Sequence, residues 1–234
     1  MTLIRSIIFL IAQWIFTLIY ALFSPVMFFF NQHIRFRLLS GYAPGTLWLL
    51  KVICGIRMEV RGEENIPAKP CVVLSKHQSA WETVSLQMVL PAHAWVAKRS
   101  LLWIPFFGWL LALSNPIALD RSKGKESMRQ VLEKGKQKLA DGFCVVMFPE
   151  GTRIPFGQRG KYKIGGAMLA EQSGAMVLPI AHNAGKYWGR NSVRKHPGTI
   201  IMSIGKPIVT TGLKADEINR LTEDWIEGEM TKLG

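Results

Sequence analysis

No charged residue occurs between positions 6 and 32, where the chain reads SIIFLIAQWIFTLIYALFSPVMFFFNQ. A bilayer core takes about 20 apolar residues as a helix, so this run is long enough to span one. In a chain of 234 residues it leaves room for one further domain. A secretory signal has a shorter apolar region and a small-residue cleavage site, and no A-x-A pattern appears here. Pro25 removes a helix hydrogen bond. The segment therefore reads either as one span or as two helices, 3–23 and 25–39, folded back on one leaflet. Arg35, Arg37 and Lys51 follow it, and no acid precedes Glu59. By the positive-inside rule the body then sits on the cytoplasmic face of the inner (plasma) membrane. A helix buried all round in a protein core is the alternative.

Charge points the same way. The chain carries 29 Lys and Arg against 16 Asp and Glu, a net charge of +13. Six of the acids and only two of the bases fall after position 214, so the rest of the chain is more basic still. Such a body expects an anionic partner: nucleic acid, a lipid surface or a phosphorylated small molecule. A composition 49% hydrophobic and 19% charged excludes a disordered chain. Nucleic acid is disfavoured, because it leaves the uncharged run unexplained and no helix-turn-helix, zinc or RNA-recognition pattern is present. Cys54, Cys71 and Cys144 are widely spaced among apolar residues and read as buried thiols in a reducing compartment. With no Cys/His cluster of metal-ligand spacing, neither a metal nor a resident cofactor is expected.

The residues divide into an N-terminal hydrophobic helical segment, 1–56, and an α/β domain, 57–234. In the first, 41–45 reads as a turn and 46–56 as an apolar helix. In the second, strands are expected at 70–75, 94–97, 116–119, 143–148, 176–181 and 199–204. Helices are expected at 80–89, 125–139, 164–172 and from 215 onward. Strands alternating with helices give an α/β fold, a mostly parallel central sheet flanked by helices.

Two constellations could do chemistry. His77-Gln-Ser-Ala-Trp-Glu82 lies where the 70–75 strand ends, the end at which open α/β sheets bind ligands. With a helix starting near Ser79, Glu82 falls in its first turn and can reach back to His77. A carboxylate on one ring nitrogen leaves the other free as a general base. Phe148-Pro-Glu-Gly-Thr-Arg153 follows the strongest strand, and Arg159, Lys161 and Lys163 extend its positive charge. A glycine turn at a strand end lets backbone amides approach an anion, and arginine grips phosphate with two parallel bonds. Surface histidine and solvated basic loop are the plainer readings of the two. Lys186, Arg190, Arg194 and Lys195, interleaved with Tyr187 and Trp188, read equally as a solvated loop or as a contact for headgroups or donor phosphates.

In this order and spacing the motifs resemble those of the PlsC-like glycerolipid acyltransferases, the 1-acyl-glycerol-3-phosphate acyltransferase family. Its first motif is His, four residues, then Asp; here His77 and Glu82 stand, one methylene longer. FPEGTR is present letter for letter at 148–153. Asn115-Pro-Ile-Ala-Leu-Asp-Arg121 resembles the second block and Val177-Leu-Pro-Ile180 the fourth. Lys98, the Pro105–Gly108 step and Lys163-Ile-Gly-Gly166 resemble further family positions, and the likeness spans roughly residues 70–205. It implies acyl transfer from a thioester, on coenzyme A or acyl carrier protein, to the free hydroxyl of lysophosphatidate at a phospholipid membrane. His77 and Glu82 would be catalytic, and Lys98, Arg121, Glu150, Gly151, Thr152 and Arg153 substrate-binding, with Glu150 shaping the loop or orienting an arginine or substrate hydroxyl. The chemistry also calls for an oxyanion donor, which the sequence does not assign; backbone amides of the His77 turn are candidates. Another lysolipid or an acylated amino acid as acceptor, and a thioester or lipid hydrolase, are the competing readings; the hydrolase lacks a GxSxG nucleophile.

Overall fold

The computed structural model describes residues 1–120 and 124–234. Three helices come first: α1 (Thr2–Met27), α2 (Gln32–Ser40) and α3 (Tyr42–Cys54). Pro25 does not end α1. Its missing N–H would have bonded the carbonyl of Ala21, and the Ser24 hydroxyl donates to that oxygen instead at 2.6 Å. The expected turn at 41–45 is the first turn of α3. Pro44 is tolerated there because first-turn amides have no partner inside the helix. Gly45 lets α1 and α3 approach closely, since a Cβ would sit 2.6 Å from the Phe16 ring.

α1 is built inside out relative to a soluble amphipathic helix. Apart from Phe9 and Met27, its buried residues are small or hydroxylic: Ser6, Thr17, Ala21 and Ser24. Ile8, Ile11, Trp14, Ile15, Leu22 and Phe23 all face outward, each more than half exposed. Small residues at a helix contact let backbones approach, a pattern of helices packed in lipid. Phe9 nevertheless lies edge-on to Trp188, 5.6 Å between centroids, in the core cluster that contains the sheet residues Val73, Leu178 and Ile200. Segment 1–56 thus shares a core with the α/β body.

The body is a seven-stranded sheet of β1 (Ile56–Arg61), β2 (Val72–Ser75), β3 (His93–Lys98), β4 (Ile117–Leu119), β5 (Cys144–Met147), β6 (Val177–His182) and β7 (Gly198–Ile204). Their order is β1-β7-β6-β2-β5-β3-β4. β6, β2, β5, β3 and β4 run parallel; β7 turns antiparallel to β6, and β1 pairs parallel with β7. The sheet is therefore mostly parallel, as expected. Helices α4 (Trp81–Val89), α5 (Phe107–Leu113), α6 (Gly124–Ala140), α7 (Gly165–Ser173), α8 (Ala184–Tyr187) and α9 (Ala215–Lys232) pack around it. β2, with all four residues buried, and β5, with three of four, are continuous apolar strands of the kind a covered parallel sheet needs. They are direct neighbours, Leu74 opposite Met147, so the segments that leave their C-terminal ends emerge side by side.

Candidate active site

Those two segments are the sequence's two constellations. His77 Nδ1 donates to Glu82 Oε1 at 2.7 Å. Glu82 lies in the first turn of α4 and is fully buried. Burial alone would push its carboxyl up, but hydrogen bonds from His77 and the Ser79 amide, with the nearby histidines, hold it below the usual carboxylate range. The Gln78 and Ser79 amides donate to the same carboxylate at 2.8–3.0 Å. An ionised Glu82 can only accept, so Nδ1 carries the proton and Nε2 is left as the basic nitrogen. The ring lies flat on Phe148, 4.0 Å between centroids. On the far side of Glu82 is His182, whose Nε2–H donates to the Lys76 carbonyl at 2.9 Å while Nδ1 accepts the Ala184 amide. Burial holds His182 below the ordinary histidine range, so it stays neutral.

The FPEGTR segment grips the His77 backbone from both sides. Glu150 Oε2 accepts the His77 amide at 2.9 Å, and the Ile154 amide donates to the His77 carbonyl at 2.8 Å. Glu150 is itself buried, with Oε1 on Lys76 Nζ at 2.7 Å. Its partner is thus a lysine and a backbone amide, not the arginine or substrate hydroxyl considered from sequence. Gly151 takes φ +67°, where Lys163 Nζ would lie 2.7 Å from any Cβ. Thr152 is exposed.

The amides of the turn, candidates for the oxyanion donor, are already engaged. The Lys76 amide bonds Ile180, that of His77 bonds Glu150, and those of Gln78 and Ser79 bond Glu82. Building a carboxylate socket from main-chain donors uses them up.

His77, Phe148, Lys98 and Arg153 line a cavity of about 220 Å³. Its remaining walls are mostly apolar and come from α1, α2, α3, α4, β3, the segment after β3 and α5, with Ala43, Val84, Ala97, Leu110 and Leu111 among them. Arg153 Nε is buried without a hydrogen-bond partner, and neither Arg153 nor Lys98 forms an ion pair among the described residues. Two cations and the imidazole thus line one largely apolar cavity. Arg121 lies outside the described residues. Of the 186–195 cluster, Lys195 and Trp188 are not surface contacts: the Lys195 ammonium is buried over Trp188 and Phe9, 4.6 and 5.1 Å from their rings. No group of three His, Cys, Asp or Glu able to hold a metal occurs among the described residues.

Residues 57–183, more than half the chain, match the family model described as Acyltransferase. The chain is 47% identical over 207 residues to the 1-acyl-sn-glycerol-3-phosphate acyltransferase of Pseudomonas aeruginosa, covering 87% of this chain and 80% of the relative. The chain belongs to the acyltransferase family. Another acyltransferase, the 1-acyl-sn-glycerol-3-phosphate acyltransferase of Saccharomyces cerevisiae, is 33% identical over 186 residues, 75% of this chain and 59% of the yeast protein. The acyltransferase fold is shared with the crystal structure of the 1-acyl-sn-glycerophosphate acyltransferase PlsC from Thermotoga maritima. The TM-score is 0.83 at 22% identity, with 99% of this chain and 95% of that one covered.

Proposed function

We propose that the chain transfers a fatty acyl group from an acyl thioester, on coenzyme A or acyl carrier protein, to the sn-2 hydroxyl of 1-acyl-glycerol 3-phosphate. The observation that carries the reading is His77, oriented by Glu82 at 2.7 Å, in the wall of a largely apolar cavity also lined by Lys98 and Arg153, which have no carboxylate partner among the described residues. The names of the relatives support the acceptor.

In this reading the acyl chain lies in the cavity and the acceptor phosphate between Arg153 and Lys98. A hydroxyl of pKa about 15 is a poor nucleophile at neutral pH, so its proton must leave as the bond forms. His77 Nε2 takes that proton while the oxygen attacks the thioester carbonyl, and buried Glu82 stabilises the resulting imidazolium. The tetrahedral intermediate collapses by breaking the C–S bond, and the imidazolium returns the proton to the departing sulfur. Ester and free thiol are the products. No enzyme nucleophile is needed, because the acceptor hydroxyl plays the part that serine plays in a hydrolase triad.

A membrane setting supplies both apolar chains. The outward Ile, Phe and Trp side chains of α1 and the exposed Phe28 and Phe29 would lie in lipid, and basic residues nearby would each contribute about 1 kcal/mol against anionic headgroups. The basic residues that follow α1 support the cytoplasmic leaflet as the side on which the body lies.

The test is thiol release from acyl-CoA by the protein in phospholipid vesicles, with lysophosphatidate, glycerol 3-phosphate or no acceptor. Release that requires lysophosphatidate and yields phosphatidate supports the reading. Release without acceptor, with free fatty acid as product, replaces it with a thioesterase. Silence with acyl-CoA and with acyl carrier protein alike overturns it.

A further inference from the structure

Next to the base, the fold buries a lysine between two carboxylates. Lys76 is fully buried, and its Nζ sits 2.7 Å from Glu150 Oε1 and 2.7 Å from Glu227 Oε1. Glu227 comes from α9, 151 residues away, and also accepts the Tyr162 hydroxyl at 2.8 Å. Glu223, one turn earlier on α9, holds Arg159 at 2.7 Å. Two of the six acids of this helix, Glu223 and Glu227, are therefore spent on the segment following FPEGTR and on Lys76.

Stability explains this triad poorly. Taking three charges out of water costs several kcal/mol per ion, and well-packed apolar residues of like volume commonly do as well or better. Its position is more informative. Glu150 uses Oε1 for Lys76 and Oε2 for the His77 amide, so whatever fixes Lys76 fixes the main chain that carries the imidazole. The Lys76 carbonyl is in turn held by His182, 3.9 Å from Glu82.

We propose that Lys76 and Glu227 are positioning residues for the acyl-transfer base: α9 clamps Lys76, Lys76 clamps Glu150, and Glu150 sets the backbone of His77 so that its ring meets Glu82. The inference rests on His77 being the base. A displacement of 1 Å at a reacting group can cost about a hundredfold in rate. Partial loosening of the clamp should cost about tenfold in kcat and leave KM within twofold, because neither residue lines the cavity.

The clamp also has an electrostatic signature. The charged and titratable groups around His77 are Glu82 from α4, His182 from β6, Lys98 from β3, Glu150 and Arg153 from the FPEGTR segment, Lys76 beside it, and Glu227 with Tyr162 beyond Lys76. Removing the negative charge of Glu227 disfavours the imidazolium. Removing the positive charge of Lys76 favours it.

The experiment measures phosphatidate formation by the full chain in vesicles with acyl-CoA and lysophosphatidate, from pH 5 to 9. Wild type is compared with Glu227→Gln, Glu227→Asp, Lys76→Met, Glu223→Gln and His77→Ala, with rates taken per folded molecule. Glu227→Gln is expected to lose about tenfold in kcat and to move the acid limb of kcat/KM down by about half a pH unit. Lys76→Met moves that limb up, and Glu227→Asp, which keeps the charge, returns it to the wild-type position. Glu223→Gln stays within twofold of wild type. If Lys76→Met does not fold, the two Glu227 variants decide alone. A Glu227→Gln protein with wild-type kcat and an unmoved limb overturns the inference, as does a lowered Tm with unchanged kcat. With His77→Ala inactive, either result leaves the base assignment standing; an active His77→Ala overturns both.

Discussion

Glu150 Oε2 accepts the backbone N–H of His77 at 2.9 Å, across 73 residues of sequence. The glutamate of FPEGTR thus acts on the histidine of the other motif rather than on the cavity. With the Ile154 amide on the His77 carbonyl, the two segments form one rigid unit at the adjacent ends of β2 and β5. This is why the motifs belong together: without the FPEGTR segment the His77 amide and carbonyl would lose both of their partners.

The Glu82 carboxylate is matched to its socket by length. It accepts His77 Nδ1 and the amides of Gln78 and Ser79 together. Shortening it in Glu82→Asp should stretch all three bonds and lower kcat by about tenfold to a hundredfold, although aspartate is the residue the family motif favours. Glu82→Gln, which brings an amide donor against two amide donors and removes the charge, should cost about a thousandfold. Steady-state kcat for both variants checks the ranking; equal rates would contradict it.

Arg153→Ala should act on binding. With the guanidinium gone, Lys98 is the remaining Lys or Arg that lines the cavity among the described residues, and the apparent KM for lysophosphatidate is expected to rise about tenfold or more with kcat reduced less. A titration of acceptor at saturating thioester measures this, and an unchanged KM would remove Arg153 from the phosphate site.

Ala97 faces the cavity from β3. Ala97→Leu fills about three carbons' worth of that space, so the preferred acyl chain should shorten by two to four carbons while short donors still react. Competition between thioesters of graded length reads the shift directly. An unchanged preference would place the acyl chain elsewhere.

His93 predicts how stability depends on pH. It is 1% exposed, its Nδ1–H donates to the Pro91 carbonyl, and Nε2 has no hydrogen-bond partner among the described residues. Burial pulls its pKa down to about 4. The unfolded chain, titrating near 6.5, binds the proton more readily, so this contribution is present above that value. It is lost as pH falls from about 6.5 to about 4, to the extent of about 3 kcal/mol. His93→Phe should flatten that part of the unfolding profile. Parallel melting curves at pH 7 and pH 5 test it, and an identical pH dependence in both proteins would contradict it.

Much of the architecture could be read in advance where residues carry a local signal. The β-branched run around Val145 and Val146 marks β5, and β2, α6 and α9 follow their patterns closely. β1 went unread although Ile56, Met58 and Val60 alternate with Arg57, Glu59 and Arg61, the pattern of a half-buried edge strand. The start of α3 was hidden by Pro44 and Gly45, turn residues that serve here as a first-turn proline and a close helix contact. Within the site, the His77–Glu82 spacing pointed to a contact that the first turn of α4 brings about. Lys76 gave no such signal, since its partners lie 74 and 151 residues away and only the fold brings them together. Nor could sequence show that the amides of the His77 turn are consumed by Glu82 and Glu150.

The most direct measurement is the rate of phosphatidate formation by His77→Gln beside wild type, in the same vesicles with the same acyl-CoA and lysophosphatidate. Glutamine keeps a polar side chain of similar reach but cannot take the acceptor's proton. Turnover at least a thousandfold below wild type, in a protein that still folds and binds vesicles, is the result expected if His77 is the base. Turnover above a tenth of wild type would contradict it.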